Sequence, residues 1–146
     1  MSEGAPAPED PVEDSVRLFR RITKHFLKPT SDEPLGFRIT SAAFQPSSSD
    51  GGVSINLEDT MQALGLRPED LMQLPPEALG LSHVTAAQAR DCDKEPVRGP
   101  NPDGRNDPSH GNLVGPDSQG LQRALARLAT KQWVIEPAPE DLATLG

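Results

Sequence analysis

The residues of this chain best able to do chemistry are three histidines and one cysteine: His25, His83, His110 and Cys92. A zinc site needs about four N, S or carboxylate ligands at organised spacing. Neither CxxC nor HExxH occurs here, so no metal is expected. Cys92 stands between Asp91 and Asp93. Two neighbouring acids disfavour the thiolate, the reactive form, and the cysteine reads as non-catalytic. A Ser–His or Cys–His pair needs only to meet in space, so spacing alone leaves that chemistry open. His83 precedes a capped helix and reads as structural. There is no Walker loop and no GxGxxG, so neither NTP hydrolysis nor Rossmann dinucleotide binding is supported.

Arg20 is the sharper clue. The run Ser15 to Ile22 alternates, setting Val16, Leu18, Arg20 and Ile22 on one face. A guanidinium on an apolar face must be paired or must hold an anion. Two roles suit it: a structural pair with a carboxylate such as Glu58 or Glu136, or a bidentate grip on a phosphate. Arg17 and Arg21 share the opposite face and read as a solvated edge. A second clue is His110-Gly111-Asn112, preceded by Asn106-Asp107-Pro108-Ser109. A histidine among small polar residues in a loop is placed to touch a ligand or partner. The structural alternative is a turn whose Asp and Asn bond their own backbone.

The elements that must position these residues are short. Sixteen prolines and twelve glycines in 146 residues imply many turns, and 34% apolar residues imply a modest core. Residues 1–14 hold five of the acids and no base, −5 of the net −8, and read as a disordered, solubilising Pro/Ala-rich tail. Residues 15–146 read as one α+β domain with a mostly antiparallel central sheet. The acidic balance argues against general binding to nucleic acid or anionic membranes. The lone cysteine, the lack of an apolar leader and the lack of a spanning segment give an expected cytoplasmic location.

Strands are predicted over Val16–Ile22, Gly36–Phe44 and Val53–Leu57, the last with Ser54 and Asn56 outward. The segment Gln45 to Gly52 joins the second and third as a hairpin connection. Lys24–Lys28 reads as a helical turn. A helix begins at Asp59, with Gly65 as its left-handed C′ residue, and a short one covers Glu69–Leu74 behind Pro68. Ser82–Val84 reads as a short strand. Thr85 and Gln88 form a capping box for Ala86–Cys92. Residues 93–109 read as a long polar loop and His110–Gly115 as a return to the sheet. Capped by Asp117 or Ser118, the longest helix spans Gln119–Thr130 and packs through Leu121, Leu125 and Leu128. Lys131–Glu136 is the final strand, and the last ten residues form a frayed turn.

The succession LFRRI, ITSAAF, GVSINL and DPSHG resembles small uncharacterised bacterial proteins. The chain is also faintly similar to RES-type ADP-ribosyltransferase-like toxins. In that family an arginine on the first strand binds NAD phosphate, and a polar residue on a following strand lies near the nicotinamide ribose. The resemblance assigns these positions to Arg20 and Ser41, with Glu136 as the catalytic glutamate.

Two functions follow. One is a non-enzymatic protein-binding domain without a cofactor, of the kind found as an immunity protein, antitoxin or accessory subunit of a bacterial defence or secretion operon. The other is an NAD-binding enzyme or its degenerate relative. That reading puts Arg20 on phosphate, Ser41 on ribose, His110 and Asn112 at the ligand and Glu136 beside the developing charge. It requires Arg20, Ser41, His110 and Glu136 to line one cleft.

Overall fold

The computed structural model describes residues 6–46, 52–73, 78–99, 107–116 and 118–142. Its strands are β1 (Arg17–Ile22), β2 (Leu27–Pro29), β3 (Phe37–Ile39), β4 (Val53–Leu57), β5 (Gly80–Thr85), β6 (Glu95–Arg98), β7 (His110–Val114) and β8 (Trp133–Ile135). Its helices are α1 (Glu58–Leu64), α2 (Pro68–Leu71), α3 (Ala86–Asp91), α4 (Gln119–Thr130) and α5 (Pro139–Leu142). Six strands form one antiparallel sheet in the order β6-β7-β4-β1-β5-β8, and β2 pairs with β3 in a separate ribbon. The fold is α+β, as the composition and patterning imply.

Period-two alternation gives the sheet two different faces. Leu18, Ile22, Val53, Ile55, Leu57, Val84 and Leu113 share the first. They form the main core with Phe44, Leu125 and Ala129. Over this face lie α4 and the 3-10 turn Ser41–Phe44. The second face carries Phe19 and Leu81, which pack on Met61 of α1 and Leu71 of α2. Because both faces are covered, the expectation that Asn56 points to solvent is corrected: it is buried. Arg17 is likewise no solvated edge. Its Nε donates to Glu58 Oε2 at 2.6 Å, and its guanidinium stacks on the Phe19 ring.

Local chemistry explains where the helices start and stop. The Thr85 hydroxyl accepts from the Gln88 N–H while the Gln88 side chain accepts from the Thr85 N–H, the reciprocal box expected there. Ser118 Oγ caps α4 by accepting from the Leu121 N–H. Gly65 ends α1 at φ +73, where a β-carbon would be strained. By contrast, α1 starts at Glu58 behind Leu57, with no side-chain cap, and the Asp59 carboxylate accepts from the Thr60 N–H and from Arg98 instead.

Several expectations are corrected. Gly36–Phe44 is a strand only through Ile39, and Ser41–Phe44 is a 3-10 turn. A strand sends Ala43 and Phe44 to opposite faces. The turn instead buries both against the core. The connection from β3 to β4 is not a hairpin, since β3 pairs with β2 and β4 with β1 and β7. Residues 47–51 of that connection lie outside the described residues, as do 74–77, 100–106, 117 and 143–146. Within the supposed long loop, Glu95–Arg98 forms an edge strand on β7; an edge tolerates Pro96, which has no N–H for the ladder. In α4 the most buried apolar positions are Leu125, Ala126 and Ala129, with Leu121 and Leu128 at the margins.

Residues 6–14 also depart from the disordered tail. Val12 is buried in the core, Arg90 donates to Asp14 Oδ1 and Val12 O, and Arg98 donates to Asp10 O and Pro11 O. Composition predicted no anchor there, yet one apolar side chain and two arginines supply it.

Candidate functional site

Arg20 projects from the core face where β1 and β4 diverge. Their ladder holds only Leu18↔Leu57 and Phe19↔Asn56. Beyond it, Arg20 Nε donates to Ala43 O at 2.8 Å and its Nη1 to Ser54 O at 3.2 Å, with the Phe26 ring 5.0 Å away. The guanidinium thus closes the gap between the strands and the Ser41–Phe44 turn. Burial, helped by the neighbouring charge of Arg21, lowers its pKa to about 10. No carboxylate among the described residues pairs with it. Glu58 serves Arg17, and Glu136, just past the end of β8, is exposed.

His110 and Asn112 belong to β7, not to a loop, and face Asn56 and Ser54 across the ladder. The four make a polar square on the second face of the sheet. His110 Nε2 lies 3.2 Å from Ser54 Oγ, within reach for a Ser–His pair. His110 Nδ1, however, is buried without a partner among the described residues, so no carboxylate orients the ring as a triad requires. Asp107 is spent elsewhere: it and Ser109 Oγ accept from Asn56 Nδ2 at 2.6 and 2.9 Å. Gly111 between them has a packing reason, because a β-carbon there would sit 2.6 Å from Val97 O.

The arrangement most able to bind lies between β3 and α4. A cleft of about 230 Å³ is floored by Ala126 and Thr130 and edged by Arg38, Arg123 and Arg127, with Thr40 and Ser41 at one end. On α4, positions 123, 126, 127 and 130 form one stripe by helical spacing. Its small members leave room and its arginines rise at the rim. Thr130 Oγ1 accepts from the Ile39 N–H at 2.9 Å and donates to Ala126 O at 2.8 Å, which fixes β3 against the helix. Thr40 Oγ1 is buried with no partner among the described residues. Arg38, Arg123 and Arg127 make no ion pair among the described residues. Glu33 reaches this cleft, but its carboxylate is held by Lys131 Nζ at 3.0 Å.

A second groove of about 370 Å³ shares Glu33 and Thr130 with the first. Leu35, Phe37 and Trp133 make its apolar wall, and Glu136 lies at its edge. Trp133 meets Phe37 edge-on at 5.6 Å. Leu35 is 42% exposed, the most exposed large apolar side chain among the described residues.

Of the residues named from sequence, Ser41 lies in the arginine cleft and Glu136 in the adjoining groove. Arg20 is committed to backbone carbonyls, and His110 and Asn112 occupy the opposite sheet face. Arg20, Ser41, His110 and Glu136 therefore do not line one cleft. Arg38, Thr40, Arg123 and Arg127 were not singled out from the sequence. One signal was legible: α4 contains no acid, so neither of its arginines has an i±3 or i±4 counter-charge.

The remaining titratable groups point away from catalysis. Burial raises the Cys92 thiol pKa, and the charges of Asp91 and Asp93 raise it further. Burial lowers the His83 pKa, as does the charge of Arg17, against smaller opposing contributions from Gln132 and Glu58. No protein-family model matches the chain, nor does any curated protein or solved structure.

Proposed function

We propose that the chain is a non-enzymatic protein-binding domain that holds a partner's acidic segment along the β3–α4 face. The observation carrying this is the set of three arginines in one cleft, without an ion pair among the described residues, in a chain whose net charge is −8. Like charges one helical turn apart cost a few tenths of a kcal/mol, about 0.2–0.5, and an anionic partner relieves that cost. The adjoining groove offers Leu35 and Trp133 to an apolar side chain of the same segment. The overall acidity favours encounter with a basic partner, whose acidic segment then docks locally. Size and charge suit an immunity protein, antitoxin or accessory subunit acting in a bacterial cytoplasm.

Trp133 is the sole tryptophan and lines the groove, so its emission reports occupancy. Titration with a synthetic peptide alternating Glu and Leu should give a saturable change that weakens with salt. An Arg123→Glu/Arg127→Glu variant with an unchanged circular dichroism spectrum should abolish it. Equal binding by that variant, or no response to the peptide, overturns the reading. Ser41 in the cleft sustains the nucleotide reading as a second one. A calorimetric titration with NAD that saturates and is lost in the same variant would favour it.

A further inference from the structure

The donors of the arginine cleft distinguish between anions. Each guanidinium is a planar fork of N–H donors, and one fork satisfies one face of a carboxylate. Here three forks line the same cleft, together with Thr40 and Ser41. Thr40 lines the cleft beside Ser41, and its buried Oγ1 has no partner among the described residues. A planar group of single charge leaves much of this capacity idle. A phosphate monoester carries about −1.5 to −2 at neutral pH and three terminal oxygens in a tetrahedral array. It can accept from several forks and a hydroxyl together. Glu33 does not block it, since Lys131 offsets that carboxylate at 3.0 Å. A chain leaving the cleft past Thr130 enters the groove of Leu35 and Trp133, so the phosphate fits as part of a longer segment.

Resting on the protein-binding reading above, we infer that the cleft takes the phosphate of a phosphorylated serine or threonine in the partner segment. Phosphorylation of the partner then switches binding on. The apolar groove accepts a neighbouring side chain of that segment.

The test is calorimetry on the full chain with three matched peptides, identical but for phosphoserine, glutamate or serine at one position beside a leucine. Inorganic phosphate and NAD are titrated in parallel. The phosphoserine peptide should bind about tenfold or more tighter than the glutamate one, because charge-assisted bonds to a dianion are more numerous. Arg127→Ala should remove most of that advantage. It is exposed, and alanine is the better helix former, so the fold is retained. Equal affinity for phosphoserine and glutamate overturns the inference and leaves the binding surface standing. Tighter binding of NAD or free phosphate than of the phosphopeptide overturns the protein source of the phosphate. No binding by any peptide overturns both readings.

Discussion

Replacing Arg20 with methionine separates a structural arginine from a ligand-binding one. The side chain keeps its length and apolar stem but loses the bonds to Ala43 O and Ser54 O and the contact with Phe26. Two carbonyls deprived of a donor cost roughly 1–3 kcal/mol each when buried, the lower end applying where water can reach them. The lost contact with the ring adds about 0.5–1 kcal/mol. Against this, methionine removes the cost of keeping a charge out of water, worth a kcal/mol or more. The balance is a destabilisation of roughly 2 kcal/mol. For a chain of this length that corresponds to a fall in Tm of about 4–8 °C. Thermal unfolding followed by circular dichroism measures it, and Arg20→Lys, which keeps the charge without the fork, should fall between. An unchanged or raised Tm would show that the two carbonyls do not depend on Arg20. A folded Arg20→Met protein that no longer binds the acidic or phosphorylated peptide would refute the structural assignment altogether.

Two further outcomes follow from buried charge. Asp59 is desolvated, which alone would raise its pKa, but the hydrogen bonds and charge of Arg98 and the bond from Thr60 outweigh this and hold it below its ordinary 3.8. Its stabilisation is therefore complete above that ordinary value and lost as pH falls through the depressed folded one. Asp59→Asn takes the counter-charge from the buried Arg98 guanidinium, which keeps its bonds to Asp10 O and Pro11 O, and should cost about 2–3 kcal/mol near neutrality. The gap from wild type in urea midpoint should close as pH falls below 3.8 through the depressed folded value; a constant gap would contradict the linkage. Cys92, buried and with a raised pKa, should react with a thiol reagent only slowly near neutral pH and fully after denaturation, and prompt labelling of the folded protein would count against this.

Much of the fold was legible because its cues are local. The alternation around Leu18 and Ile22, the Thr85–Gln88 box, Gly65 after α1 and the span of α4 each depend on residues close in sequence. What failed depended on distant partners. Leu27–Pro29 and Glu95–Arg98 show little alternation and contain proline, and they are strands only because β3 and β7 lie beside them. Ser41–Phe44 has a strand-like pattern, but burial of Ala43 and Phe44 together selects a turn.

The same division holds for the site. Sequence alone determined that Arg20 needs a partner on an apolar face, that Cys92 is unsuited to nucleophilic chemistry and that no metal motif is present. It also carried the missing counter-charges of α4, because helical spacing is a local property. Only the tertiary structure decided that Arg20 bonds carbonyls of Ala43 and Ser54, 23 and 34 residues away, instead of a carboxylate. Only it brought Arg38 and Thr40 to the stripe of Arg123 and Arg127, through the bond from Ile39 N–H to Thr130, 91 residues apart. Which side chains share a cleft depends on how strands and helices pack, and that packing is settled by the whole core together.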